Sequence, residues 1–154
     1  FEQATRLNAV IASLIDTERN LVALKGQIEE RRASGKEMRG DAAREMAGAA
    51  GEEIVKLDSV RLQLTRPRSD VIPFYSEGPR PLERAMSLIG SIDNGLTPVI
   101  AAQREYMGDV RRDAQTVIDM VEKQVSASVS RMNPLLKSLG LPELAPPPKK
   151  ATAM

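Results

Sequence analysis

The positions of the prolines constrain the fold of this chain more than any other feature. All ten lie at residues 67, 73, 79, 81, 98, 134, 142 and 146–148, so residues 1–66 and 99–133 contain none. Proline in the interior of a helix removes a hydrogen bond and clashes with the preceding turn. Two long stretches of the chain are therefore free to form long helices.

In the first proline-free stretch, apolar side chains recur at alternating spacings of three and four residues, which is typical of a helix with one buried face. The predicted buried positions are Leu7, Val10, Leu14, Thr17, Leu21, Leu24 and Ile28, with Ile11, Ile15 and Val22 widening the stripe. The pattern predicts a first helix over residues 4–33. It ends where Arg31 and Arg32 supply cations and Gly35 supplies a permissive backbone.

A second helix is predicted over residues 42–64, with Asp41 as its N-cap. Its apolar face is formed by Ala43, Ala47, Ala50, Ile54, Leu57, Val60 and Leu64. The small residues at positions 47–51 allow a neighbouring backbone to approach closely. The short polar link between these two long helices indicates that they fold back on each other.

Two further helices are predicted in the second half of the chain. The third covers residues 81–93 and places on one side Leu82, Ala85, Met86, Ile89 and Ile92. The fourth covers residues 98–132, and its stripe comprises Val99, Ala102, Tyr106, Val110, Ala114, Val117, Val121, Val125, Val129 and Met132. We expect it to start with Thr97 as N-cap and to end or kink at Asn133, because a residue before proline avoids helical dihedrals.

Together these elements predict an all-α protein, a mostly antiparallel four-helix bundle over residues 1–142 with one short helix and a proline-rich connection. In that connection, Phe74 and Tyr75 are expected to plug one end of the core. Residues 143–154 are rich in proline and lysine, and we expect them to form a disordered, mobile C-terminal tail.

The composition removes most familiar catalytic chemistry. The chain has no Cys, no His and no Trp, which leaves no thiolate nucleophile, imidazole base, Cys/His zinc site or haem ligation by His. The remaining candidates for acid/base work or metal binding are Glu52, Glu53, Asp109, Asp113 and Asp119. Glu52 precedes Lys56 by four residues, the spacing of a surface ion pair, and Asp119 precedes a lysine in the same way. We therefore expect a solvated acidic face, with no catalytic, cofactor or metal site and no enzyme activity.

The charge balance indicates which partners to expect. With 22 basic and 21 acidic side chains, the chain has no field that favours nucleic acid. Two Phe and two Tyr leave few platforms for stacking on bases or sugars. No apolar run approaches the roughly eighteen residues of a membrane-spanning helix. We expect no nucleic-acid partner and no strong membrane contact, and Phe1 suggests an excised or processed chain.

Candidate partner-contact residues lie in two places. The first is the proline-rich connection, where an anionic partner can be met by Arg66, Arg68, Phe74, Tyr75 and Arg80, together with Arg84 at the start of the next helix. The second is the fourth helix, where Ile118 and Met120 flank the main stripe and form a candidate docking edge. For the arginines, the alternative that they merely solubilise a loop stays open.

One part of the sequence has a more specific pattern. From Pro81-Leu82-Glu83-Arg84 to Met132-Asn133-Pro134-Leu135-Leu136 it combines a short helix, Asp93 near its end, a Thr97-Pro98 restart, Tyr106 and a long amphipathic run. This pattern resembles the C-terminal helical region of bacterial sortilin-like, BNR-repeat propeller proteins, often labelled glycosyl hydrolases. Residues 57–68 resemble the connection out of that family's first helical hairpin, so the resemblance covers about Leu7 to Leu141.

The resemblance implies an exported protein, periplasmic or extracellular, whose upstream β-propeller carries this bundle as an accessory or association module. It transfers no catalytic residue. We therefore predict a non-catalytic helical module that acts in structural support or protein–protein association, including association with a second copy of itself. Two alternatives stay open: a lipid-surface module made of amphipathic helices, and a hydrolase that uses two carboxylates.

Overall fold

The computed structural model describes residues 2–65, 80–92 and 101–145. Within these ranges it contains four helices: α1 (Glu2–Lys36), α2 (Asp41–Leu64), α3 (Pro81–Ile92) and α4 (Ala101–Ser138). No strand occurs among the described residues, and the helices pack together as an all-α bundle, as predicted. None of the helices in these ranges has the length and apolarity needed to cross a membrane.

The described chain forms two compact units. Unit 1 contains residues 2–17, 62–65, 80–92 and 101–119, and unit 2 contains residues 18–61 and 120–145. Helices α1, α2 and α4 each contribute a segment to both units, whereas α3 belongs to unit 1. Buried apolar residues occur in both units.

The core of unit 1 is drawn from all four helices. Its buried apolar residues are Leu7, Val10, Leu14, Leu64, Leu82, Ala85, Leu88, Met107, Val110, Ala114 and Ile118. Thr17 is buried with them, and its hydroxyl donates a 2.7 Å hydrogen bond to the carbonyl oxygen of Ser13 on the same helix. That bond satisfies the polar atom that burial removes from water.

The core of unit 2 combines segments of α1, α2 and α4 with the residues that follow α4. It contains Leu21, Leu24, Ile28, Ala43, Met46, Ala49, Ala50, Leu57, Val121, Val125, Met132, Leu136 and Leu144. Two ion pairs align α1 with α2 here, Lys25 with Asp58 at 2.8 Å and Glu18 with Arg61 at 3.1 Å. Because residue numbers rise along α1 as they fall along α2, the two helices are antiparallel in this unit.

The predicted stripe of α1 is confirmed at its seven main positions, from Leu7 to Ile28, all of which are buried. The three residues predicted to widen this stripe are not fully buried. Ile11 is half-buried, and Ile15 and Val22 are exposed. A step of one residue turns a helix by about 100°, so these side chains lie beside the buried stripe rather than on it.

The prediction for α2 is wrong in part. Ala43, Ala50, Leu57 and Leu64 are buried as expected, and the half-buried predicted positions are Ala47, Ile54 and Val60. The stripe instead passes through Met46 and Glu53, both fully buried. The observed positions 43, 46, 50, 53 and 57 alternate strictly between spacings of three and four, whereas the predicted face has positions 47 and 54 in place of 46 and 53.

The stripes of α3 and α4 are also rotated slightly from the prediction. In α3, Met86 is exposed and Leu88 is buried. In α4, Tyr106 is exposed and its neighbour Met107 is buried, and Ala102 is exposed as well. Val117 and Val129 are only half-buried. The side chain of Ile92, and the predicted start of α4 at Thr97-Pro98, lie outside the residues that the structure describes.

The end of α4 differs from the prediction. The helix does not end at Asn133 but continues to Ser138 with Pro134 inside it. Its final turn carries Leu136 into the core of unit 2, and burial of that side chain favours the continued helix. Gly140, two residues after the last helical residue, has a positive φ of 68°.

The backbone beyond α4 closes the helix in a Schellman motif. The N–H of Leu141 donates to the carbonyl of Leu136 at 3.0 Å, and the N–H of Gly140 donates to that of Lys137 at 3.1 Å. This pairing satisfies carbonyl groups that the last turn leaves free.

The predicted mobile tail begins at residue 143, but residues 143–145 are held in unit 2. Leu144 is buried, and its N–H donates a 2.7 Å bond to Oδ1 of Asn133. The N–H of Ala145 donates to Oε1 of Gln27 at 3.0 Å, and Nε of Arg31 donates to the carbonyl of Pro142 at 2.8 Å. The remainder of the predicted tail, residues 146–154, lies outside the described residues.

Candidate functional site

Glu53 of unit 2 is the strongest candidate for chemistry among the described residues. It lies on the buried stripe of α2 between Ala50 and Leu57, and it is only 1% exposed. A buried carboxylate is costly unless it is paired and hydrogen-bonded. The solvated acidic face predicted for Glu52 and Glu53 is therefore wrong for Glu53, because this carboxylate points into the core.

Residues of α4 meet the Glu53 carboxylate from across the helix interface. The hydroxyl of Ser128 donates to Oε1 at 3.2 Å, and Nη1 of Arg131 donates to Oε2 at 3.0 Å. Gln124 donates in turn to the Ser128 hydroxyl at 3.1 Å. Positions 124, 128 and 131 lie on one face of α4 because they are spaced by four and three residues.

Two charged neighbours on α2 complete the cluster. Lys56 lies with its Nζ 3.1 Å from Oε2 of Glu53. Glu52 is exposed, and its Oε2 lies 2.7 Å from Nη2 of Arg131. The single guanidinium of Arg131 therefore joins the buried carboxylate to an exposed one. We call Glu52, Glu53, Lys56, Ser128 and Arg131 the Glu53 cluster.

The cluster holds Glu53 in its ionised form. Burial by itself raises the pKa of this carboxyl, but hydrogen bonds from Lys56 and Arg131, the charge of Lys56 and the Ser128 hydroxyl outweigh it, so the pKa lies below the ordinary 4.5. Hydrogen bonds to Glu52 and Glu53 raise the pKa of Arg131. A carboxylate held ionised and already bonded to three donors is poorly suited to act as a general acid near neutral pH.

A second polar cluster joins α3 to α4 in unit 1. Nη1 of Arg84 donates to Oδ2 of Asp113 at 2.5 Å, and its guanidinium carbon lies 5.5 Å from the centre of the Tyr106 ring. Hydrogen bonds to Tyr106 and to Asp113 raise the pKa of Arg84. Nearby, the hydroxyl of Thr65 donates to Oε1 of Glu83 at 2.7 Å. These contacts fasten α3 in place.

The other candidate carboxylates are engaged in ordinary helix-surface contacts. Asp109 pairs with Arg112 one turn along α4. Asp119 accepts a 2.8 Å bond from Gln115. Lys56, expected to pair with Glu52, contacts Glu53 instead. No group of three or more acidic residues that could hold a metal ion occurs in the described ranges.

The predicted partner-contact residues have different outcomes. Arg66, Arg68, Phe74 and Tyr75 lie outside the described residues. Arg80 is half-buried directly before α3, and its carbonyl accepts a 2.9 Å bond from the N–H of Arg84.

The predicted docking edge on α4 is wrong at one of its two positions. Ile118 belongs to the core of unit 1 because it lies on the buried stripe four residues after Ala114, the place that the prediction gave to Val117. A side chain buried in this way is not available to a partner. Met120, the other residue of that edge, is exposed.

Large apolar side chains are exposed on both units. In the described part of unit 1 they are Ile15, Leu62, Met86 and Tyr106, and in that of unit 2 they are Val22, Met38, Val55 and Met120. Val55 on α2 is the most exposed of them at 64%, followed by Met86 on α3 at 55%. Of these eight residues, sequence reasoning had assigned only Met120 to a surface.

Comparison with known proteins adds no relative. No protein-family description matches the chain, and neither the curated proteins nor the solved structures include a significant match. The functional argument therefore depends on the residues and geometry described above.

Proposed function

We propose that this chain is a non-catalytic helical module that acts in structural support or protein–protein association. The observation that carries the proposal is the exposure of large apolar side chains in both units, led by Val55 and Met86. Covering apolar surface with a partner favours association, and the affinity is the surplus over the entropy that association costs. Aromatic residues and methionine, which are enriched at protein interfaces, are represented here by Tyr106 and Met120 among others.

The polar clusters support a structural role for the bundle. Glu53 joins α2 to α4 within unit 2, and Arg84 joins α3 to α4 within unit 1. In both clusters an arginine of one helix is paired with a carboxylate of a neighbouring helix. Their hydrogen-bonding capacity is thus used for holding helices together, which supports a structural rather than a catalytic assignment.

The partner proposed for the module is a β-propeller of the same, exported protein. The support is the sequence resemblance to the C-terminal region of sortilin-like, BNR-repeat proteins. On this proposal Arg66, Arg68, Phe74, Tyr75, Arg80 and Met120 are the candidate contact residues. Self-association of the bundle is the second form that protein–protein association can take.

The non-catalytic part of the proposal is tested by assaying residues 1–154 against glycoside, ester and phosphate-ester substrates. We expect no turnover above that of the Glu53→Gln variant, which removes the carboxylate that is buried in unit 2. Robust turnover that a single substitution of Asp or Glu abolishes would overturn the proposal.

The association part is tested by sedimentation velocity over a range of concentrations. We expect a concentration-dependent dimer that Val55→Glu weakens, because this change places a charge on the most exposed apolar site. Gln63→Glu is the matched control, since it adds the same charge at an exposed polar position of α2. A protein that stays monomeric at the highest concentration would remove the self-association form, and flotation with liposomes would favour the lipid-surface alternative.

A further inference from the structure

A polar layer interrupts the apolar contact between α2 and α4 in unit 2. On α2, Glu53 takes a stripe position between the buried residues Ala50 and Leu57. On α4, Ser128 takes a stripe position between Val125 and Met132, and it is fully buried. The two polar residues meet through a 3.2 Å hydrogen bond. Glu53 and Ser128 are the buried polar residues in the described part of unit 2, so the polar contact is confined to one level of the helix pair.

This layer distinguishes one alignment of α2 and α4 from its neighbours. Sliding one helix along the other by a turn, about 5.4 Å, would move Glu53 from Ser128 toward an apolar stripe residue such as Val125 or Met132. The carboxylate would then lose its donors from α4 while remaining buried, which is strongly unfavourable. Single polar residues at core positions select register in other helical assemblies by the same penalty.

We propose that the Glu53 cluster is a conformational latch, which selects a single register of α2 and α4 in unit 2 and is released when Glu53 takes up a proton. Protonation removes the charge that Arg131 and Lys56 hold. The two helices then keep their apolar stripes, and the cost of burying an unpaired carboxylate no longer opposes other alignments. The latch is independent of whether the module binds a propeller or a second copy of itself.

The surroundings of Glu53 determine the direction of the pH response. The charged groups that face it are Lys56 on α2 and Arg131 on α4, and Glu52 shares Arg131. From α1, the buried residues of unit 2 are Leu21, Leu24 and Ile28, which do not titrate, and the Arg32 guanidinium lies beside Gly51. Among the described residues of unit 2, Glu53 is the only acidic residue that is buried.

The pKa of Glu53 is lowered in the folded protein relative to its ordinary value of 4.5. Its ionised form therefore stabilises the folded state above about pH 4.5, and this contribution is lost as the pH falls through the lower, folded-state pKa. The latch is closed at neutral pH and opens in acid.

The first test measures the midpoint of urea unfolding between pH 6 and pH 3. We expect the midpoint of the unmodified protein to fall further than that of Glu53→Gln, whose neutral side chain does not titrate. Glu45→Gln is the control, because Glu45 is an exposed acid of α2 in the same unit. An equal fall in the unmodified protein, Glu53→Gln and Glu45→Gln would overturn the proposal.

The second test measures the register directly, as the distance between spin labels on α2 and α4, by pulsed electron–electron double resonance. The chain has no Cys, so Ser59→Cys and Glu122→Cys, both exposed in unit 2, introduce two specific label sites. At pH 7 we expect one narrow distance distribution, which Glu53→Leu broadens or shifts by roughly one helical turn. The same labels on Glu53→Gln serve if Glu53→Leu does not fold. A distribution unchanged by neutralising Glu53 would overturn the latch while leaving the association proposal intact.

Discussion

At the scale of single residues, one step along a helix decides between core and solvent. Leu14 is fully buried in unit 1, whereas Ile15, the next residue, is 38% exposed. The two side chains are alike in apolarity and size. Their difference in exposure therefore arises from position on the helix and not from side-chain chemistry. Its effect on stability can be measured.

We predict that Leu14→Ala lowers the free energy of unfolding by about 2–5 kcal/mol, because it removes buried methyl groups and leaves a cavity. Ile15→Ala is the matched control, and we expect a cost below about 1 kcal/mol since much of that side chain already contacts water. Urea unfolding followed by far-UV circular dichroism measures both. Equal costs for the two variants would mean that the stripe of α1 is rotated from the one described.

Single residues also show how far the sequence predicts the core. The main stripe of α1 was predicted correctly because its residues are apolar apart from Thr17, so hydrophobic periodicity alone identifies them. The stripe of α2 was predicted only in part, because Glu53 lies where hydrophobic periodicity alone requires an apolar residue. Met46 and Leu57, seven and four residues away along the same line, are the signal that could have revealed its burial. Its pairing with Arg131 depends on a helix 78 residues later and has no local signal.

At the scale of helices, the two glycines Gly26 and Gly35 of α1 differ in the space around them. An added Cβ at Gly26 would meet nothing within 4 Å, whereas one at Gly35 would clash with the terminal methyl of Met46. Met46 is fully buried in α2. Gly35 therefore provides the space that this methionine fills, and the predicted role of Gly35 as a residue beyond the helix is replaced by a packing role.

We predict that Gly26→Ala stabilises the protein by about 0.5–1 kcal/mol, because alanine favours the helical backbone and nothing obstructs its methyl group. Gly35→Ala offers a similar gain in helix propensity, but it forces Met46 to move, so it should be less stable than Gly26→Ala. Thermal unfolding of the two variants side by side measures the difference. A Gly35→Ala protein as stable as the Gly26→Ala protein would show that Met46 adapts without cost.

The segment that follows α4 depends on a side-chain acceptor. Asn133→Ala leaves the N–H of Leu144 without its partner, and we predict a loss of about 1 kcal/mol together with faster hydrogen exchange at Leu144. Asn133→Asp keeps an acceptor oxygen at the same place and should retain the protection. Exchange measured by NMR separates the two variants. Unchanged exchange in Asn133→Ala would indicate that burial of Leu144 alone holds the segment.

Sequence patterns predicted the helices better than their ends. The predicted bounds of α2 and α3 differ from the observed ones by a single residue at one end. The predicted bound of α4 at residue 132 is too short, because a proline after Asn133 indicates an end or a kink, whereas the observed helix continues through Pro134 and buries Leu136. Local preferences of this kind are outweighed by tertiary packing, which a single sequence does not display.

At the scale of the whole molecule, apolar burial and not surface charge holds the described helices together. Several ion pairs, such as Arg6 with Glu2 and Arg44 with Asp41, lie on exposed helix surfaces within one helix. Such pairs contribute about 0–1 kcal/mol each and are screened by salt. The all-α class could be predicted from the sequence because it follows from periodic apolar residues, but a partner surface leaves no comparable periodic signal.

We predict that raising NaCl from 0.05 to 0.5 M changes the free energy of unfolding of the whole chain by less than about 2 kcal/mol near neutral pH. The change should be small because the exposed pairs contribute little, while the Glu53 carboxylate itself is buried. Urea titrations at the two salt concentrations provide the measurement. A loss of several kcal/mol would show that surface pairs, and not the apolar stripes, dominate stability.

The fastening of residues 143–145 has a practical consequence for spectroscopy. Glu143 is exposed, yet the amides of the two residues after it are bonded to Asn133 and Gln27. A fluorophore attached at position 143 should tumble with the domain and show high anisotropy. Its anisotropy would drop as soon as those two tethers break, so the dye would report local detachment before the helices themselves melt.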